Sequence, residues 1–211
     1  MAETTDRGSN SSSLSTLEKV LEEWLHINKW PDWDDDAPWW YGERTSLGHL
    51  AGAVWRCPGG WVLEEVSIRK RKSGRTLYPG RCDMAFGLGD AGFWCEAKQC
   101  EVVISDEKEA IKKILKKLEE ARRDVAKGTA IIEENEGNFQ GVMAVFVVPK
   151  ISVKSNLQET DTYIVNFIEQ LQQIKGAALA WTFPKAKRTL CPKDDKDYYY
   201  PGVALVLKSF E

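Results

Sequence analysis

The residues best suited to chemistry in this sequence are Asp83, Glu96 and Lys98, set in Gly80-Arg-Cys-Asp83, a glycine-rich stretch, and Glu96-Ala-Lys98. Residues two apart in a strand share a face, so Glu96 and Lys98 point the same way. Asp83 falls on the preceding strand of the same predicted hairpin, and the glycine-rich turn can absorb the loop length needed to set it beside Glu96. Two carboxylates and an ammonium then share one sheet face, while Met84, Phe86 and Cys95 are free to enter the core on the other. Carboxylates about 4–6 Å apart repel, and one is raised in pKa unless a cation lies between them. Mg²⁺, with Mn²⁺ able to substitute, meets that need with hard oxygen ligands and retained waters. It would contact a phosphate and acidify an attacking water. Lys98 could orient that water or stabilise the charge building on the phosphorus centre. These are the parts that phosphodiester hydrolysis needs. The bland alternative is a surface ion pair between Glu96 and Lys98, worth little.

The elements that must position these residues are legible from periodicity. Leu17, Val20, Leu21, Trp24 and Leu25 fall on one face of a helix over 14–28, with Ser15 as N-cap and Glu18 at the capping-box position. A second helix covers 43–56, with Leu47, Leu50, Ala51 and Val54 as its buried stripe, and Pro58-Gly-Gly60 stops it. Residues 61–69 alternate as a strand, with Val62, Glu64, Val66 and Ile68 facing one way. Strands follow over 81–86 and 93–103, joined by a hairpin turn over 87–92. A helix spans 106–127, and 141–148 is a nearly unbroken apolar run, typical of a buried central strand. A helix over 161–174 and strands over 177–183 and 203–207 complete the chain. The expected class is α/β: one mixed sheet flanked by helices. Residues 1–13, polar and serine-rich, read as a disordered tail. The remainder reads as one domain: an N-terminal helix and Trp/Asp-rich loop over 14–42, a core over 43–148, and a C-terminal helix and strands over 149–211.

The spacing D-x12-E-x-K across a hairpin, with helix and strand before it and helix and strand after it, resembles the PD-(D/E)xK nuclease superfamily. The resemblance spans about 43–148 and implies a restriction-endonuclease-like αβββαβ core. It implies that Asp83 and Glu96 are metal ligands, joined by the backbone carbonyl of Ala97, and that Lys98 is the family lysine. Gly80 to Asp83 fits the GxxD form of the motif, and Cys82 stands where the eponymous proline would be. Many members add a glutamate from the first core helix. Glu43 is the candidate and Glu64 the runner-up, while Glu65 points the other way. Gln99 is expected on the face opposite Lys98. The resemblance implies a Mg²⁺-dependent deoxyribonuclease, with restriction, repair or phage defence as its setting by family analogy.

Charge and composition narrow the partners. The net charge is −3, so a phosphate-binding surface has to be a local patch. Arg69-Lys-Arg-Lys72 with Arg75 forms one basic cluster, with Arg69, Arg71 and Arg75 as its candidate contacts, and Lys185, Lys187 and Arg188 form another in a polar loop; both are candidate nucleic-acid contacts, and both are also explained as solvated loops. DNA is the expected partner and RNA an open one, with a homodimer or a protein partner as further expectations. No apolar run can span a bilayer, so no membrane partner is expected. Five cysteines without C-x-x-C spacing, and no signal-peptide pattern, point to reduced thiols in a cytoplasmic protein. With two histidines and no recognised ligand spacing, zinc is not expected. The Trp/Asp-rich loop over 30–41 could stack on bases, make an interface, or seal the first helix onto the core, the last being favoured. A catalytically silent nuclease-like module for binding or assembly is the alternative function.

Overall fold

The computed structural model describes residues 2–5, 11–29, 36–71, 76–132 and 139–210. The elements run β1 (Ala2–Thr5), α1 (Ser11–Asn28), α2 (Glu43–Arg56), β2 (Gly60–Arg71), β3 (Leu77–Leu88), β4 (Ala91–Val103), α3 (Glu107–Ile132), β5 (Phe139–Ser152), α4 (Leu157–Leu171), β6 (Ala177–Thr182), β7 (Tyr198–Tyr199) and β8 (Val203–Ser209). The expected class holds: the chain is α/β, with helices on both faces of one mixed sheet. The strand order is β1-β6-β8-β5-β4-β3-β2, with β7 attached to the end of β5. Among the described strands only β4 and β5 run parallel, because α3 carries the chain back across the sheet between them.

Each helix pair buries its apolar stripe against one sheet face. Leu17, Val20, Leu21 and Trp24 of α1, with Leu47, Leu50 and Val54 of α2, pack on Met84, Phe86, Cys95, Val142, Ala144 and Phe146. On the opposite face, Ile114, Leu118, Ala121 and Val125 of α3, with Ile164 and Phe167 of α4, pack on Met143, Val145 and Val147. Strand β5 is therefore buried on both sides, as its apolar run demands. Among the described residues no helix is long and apolar enough to cross a membrane.

Several boundaries differ from the sequence reading. Ala2–Thr5, expected in a disordered tail, pairs antiparallel with β6 and forms the sheet's outer strand there. Helix α1 begins at Ser11, so Ser15 lies inside it rather than capping it; serine costs a helix only a few tenths of a kcal/mol per residue. Helix α4 begins four residues earlier than 161, because Asn156 and Glu159 form a reciprocal capping box. The six-residue turn expected over 87–92 shrinks to Gly89-Asp90, with Leu88 paired to Ala91. Gly89 takes φ 57°, as the first central residue of a two-residue hairpin turn must when it turns the strands directly back. The other glycines serve packing. A Cβ at Gly87 would lie 2.2 Å from the Trp61 ring, and one at Gly92 would lie 2.8 Å from the Phe139 ring.

Trp30, Trp33, Asp34 and Asp35 lie outside the described residues. In the described part of that loop Trp39 is buried in the core shared by α1 and α2 and donates from Nε1 to the Tyr200 carbonyl at 3.1 Å.

A second correction concerns β2. Its alternation was expected to keep Val62, Glu64, Val66 and Ile68 on one face. Instead Val62 joins the core under α1 and α2, while Ile68 lies against Gly128 of α3. Between them stands Glu65 at φ 52°, the one non-glycine with positive φ among the described residues. Glu65 and Asp83 face each other across the hairpin, and this pair alone is missing from a ladder that resumes in the same register at Val66 and Cys82. A left-handed residue turns one peptide over, so the alternation slips and the distal half of the hairpin exchanges its faces. Glu65 itself points outward to Arg44 and Arg81, at 3.1 and 3.2 Å.

Candidate active site

The two-residue turn sets the register. Met84 pairs with Cys95, and one step further Asp83 comes opposite Glu96 where the ladder ends. Freed from regular pairing on both sides, Asp83 accepts a hydrogen bond through Oδ2 from the Ala97 amide at 2.7 Å. Cys95 and Ala97 enter the core under α1 and α2. Alternation therefore sends Glu96 and Lys98 to the α3 face, with Asp83 beside them.

Glu96 is 4 % exposed and is the one charged side chain among the buried described residues. Burial pushes its carboxyl up to about 7; the hydrogen bond from Lys70 opposes that shift and the charge of Asp83 adds to it. Lys70 Nζ stands 2.8 Å from Glu96 Oε1. Lys98 donates to the Ala97 carbonyl at 2.9 Å and lies 3.2 Å from Asp124 Oδ2 on α3. Burial by itself would lower the Lys98 ammonium, but the Asp83 and Asp124 carboxylates outweigh it and hold it above the ordinary lysine range. Asp124 is held down despite burial by Lys127, at 2.8 Å, and by Lys98. Beyond the carboxylates, on the hairpin-turn side, the rings of Trp61, Phe139 and Trp94 pack together, with centroids 6.1 and 5.1 Å apart.

Glu43, in the first turn of α2, accepts from the Gln99 amide at 2.8 Å, and its charge reaches Lys98. It thus holds the β4 backbone just past Lys98. Gln99 points to the opposite face, as expected, where its side chain meets Ser46 and the Trp39 carbonyl. Glu64, the runner-up, is exposed on the proximal half of β2. Thiol chemistry has no support here: burial pushes Cys82 up to about 12 and Cys95 well above its ordinary value.

The donors fit a hard divalent cation. Among the described residues no three His, Cys, Asp or Glu side chains group as a ready cage. The chain would instead supply Asp83, Glu96 and the Ala97 carbonyl, with water and phosphate oxygens completing the shell, which is how Mg²⁺ is commonly held.

The basic candidates fare differently. Arg69 and Arg71 alternate away from Lys70 and are exposed on the outer side of the hairpin, and Arg75 lies outside the described residues. The residue of that run that reaches the site is Lys70, a member of the basic cluster that was not itself singled out as a contact. Lys185, Lys187 and Arg188 sit in and after a short 3-10 turn that follows β6, beyond the Thr182–Val203 end of the sheet. The structure does not bring them to the carboxylates. Arg188 forms an ion pair with Asp161 of α4, with its side chain 11 % exposed. Asp124 also went unrecognised. It stands three residues after Ala121 and next to Val125, at the margin of the α3 stripe, so its helical position was a usable signal. No protein-family model, curated protein or solved structure matches this chain.

Proposed function

We propose that this chain is a metal-dependent nuclease of the PD-(D/E)xK type that hydrolyses DNA phosphodiester bonds. The observation that carries the reading is the convergence of Asp83, Glu96 and Lys98 on one sheet face, around the Ala97 peptide. The α2–β2–β3–β4–α3–β5 order, which is the order the resemblance implies, supports it. Mg²⁺, when bound, would supply Lewis acidity toward the phosphate and the water. Asp83 and Glu96 would hold it, with the Ala97 carbonyl as a third oxygen. Lys98 carries a full positive charge and donates toward the attacking water or the charge developing on phosphorus. Asp124 aims the Lys98 ammonium, and Glu43 anchors the strand behind it.

The test is cleavage of plasmid, linear and single-stranded DNA, and of RNA, with Mg²⁺ or Mn²⁺. Wild type is compared with Asp83→Ala and Lys98→Ala. Metal-dependent cleavage lost in both variants is the expected result, and the substrate pattern separates nicking from end-dependent digestion. A second reading, a silent module for binding or assembly, draws on one observation: both lysines at the site are already engaged by protein carboxylates, Lys70 by Glu96 and Lys98 by Asp124. No cleavage of any substrate, with both variants matching wild type, would select it.

A further inference from the structure

The charge of Glu96 is answered by a residue from outside β4 and α3. Lys70 comes from the distal half of β2, and the pair is well buried, with side chains 13 % and 5 % exposed. Three features set this contact apart from a surface ion pair. Lys70 reaches the α3 face only because the hairpin exchanges its faces at Glu65. Its aliphatic stem lies along Gly80 on the neighbouring strand, where a Cβ would come within 2.9 Å of Cγ and Cδ. Lys98 is held by the Ala97 carbonyl and Asp124, and Lys127, whose charge also feels Glu96, is held by Asp124, which leaves the Glu96 oxygen to Lys70.

We infer that Lys70 is the resident counter-ion of Glu96, and that a divalent cation held by this carboxylate would have to displace it. The inference rests on the proposed reading of Asp83 and Glu96 as metal ligands. Lys70 is a positioning residue in this scheme. It keeps a buried carboxylate compensated until a cation replaces it, and it sets how tightly that cation is held. Burying an unpaired charge is costly, so the pair also protects the metal-free fold.

The experiment is Mn²⁺ titration by calorimetry without DNA, with thermal unfolding in EDTA and in saturating Mn²⁺. Wild type is compared with Lys70→Met, Lys70→Gln and Lys70→Arg. The two neutral variants should bind Mn²⁺ on the order of tenfold tighter, the loss of one charge-assisted competitor. They should melt lower than wild type in EDTA and recover most of that difference in Mn²⁺. Lys70→Gln keeps a donor for Glu96 and covers the case in which Lys70→Met does not fold. Lys70→Arg should bind Mn²⁺ no tighter than wild type, since its guanidinium holds the carboxylate at least as well. A purely structural lysine would lower melting equally with and without metal and leave affinity unchanged. That outcome, with wild type binding Mn²⁺, overturns the inference and leaves the nuclease reading intact. Wild type binding no Mn²⁺, and indistinguishable from Asp83→Ala, overturns both.

Discussion

The two wings of the sheet are built to opposite rules. In the β5–β8–β6 wing, both faces are apolar. Val142 to Val148 alternate into the two cores without a polar residue, and β8 pairs along its length with β5 and β6. In the β2–β3–β4 wing, one face is a core of Met84, Phe86 and Phe93, while the other carries Asp83, Glu96 and Lys98. The ladder there breaks at Glu65 and Asp83, and a buried carboxylate is tolerated. The difference teaches where stability and the proposed chemistry are each placed. The first wing gains from close packing and dispersion. The second accepts an interrupted ladder and a charge in poor dielectric, a pattern typical of functional sites.

The comparison can be broken most forcefully by exchanging the damage. Phe146→Ala, in the apolar wing, should cost about 3–5 kcal/mol in urea unfolding, through a lost ring and the cavity it leaves. Asp83→Ala, in the polar wing, should cost under about 2 kcal/mol and yet lower the proposed DNA cleavage by about 10²–10³-fold or more. Equal stability losses at the two positions would show that the wings are not differently built.

A middle-sized effect concerns pH. The Glu96 carboxyl is raised to about 7 by burial, so the folded chain holds its proton more tightly than the unfolded chain, whose ordinary value is 4.5. The resulting stability is fully present below 4.5 and is lost as pH rises through about 7. That loss is on the order of 3 kcal/mol. In EDTA, wild type should therefore lose stability between pH 4.5 and 7.5, and Glu96→Gln should flatten this part of the curve. Parallel curves for the two proteins would place the pH dependence elsewhere.

The smallest effect probes the interrupted ladder. Glu65→Gly should be close to neutral, since glycine adopts φ 52° freely and the ion pairs it loses are exposed. Glu65→Val should be less stable than Glu65→Gly by about 2 kcal/mol, because a β-branched residue resists that region. If valine is tolerated as well as glycine, the left-handed geometry at Glu65 is not held by the hairpin.

The sequence by itself determined the order of the helices and the long strands from α1 to β8, the α/β class and the shared face of Glu96 and Lys98, because these depend on periods of 3.6 and 2 and on local turn residues. The spacing from Asp83 to Glu96 was equally local. Once Gly89-Asp90 makes the turn, counting back along two strands brings the acids together. Asn156 and Glu159 carried a readable cap signal that went unused, and so did Asp124 at the margin of the α3 stripe. The tertiary structure alone decided the rest. One backbone angle at Glu65 reversed the hairpin's faces, turned Lys70 inward and left Arg69 and Arg71 outside. Arg188 found its acid on α4, and Ala2–Thr5 found an open strand edge on β6. These pairings join residues far apart in the chain, and no local period encodes a partner that only the folded sheet brings within reach.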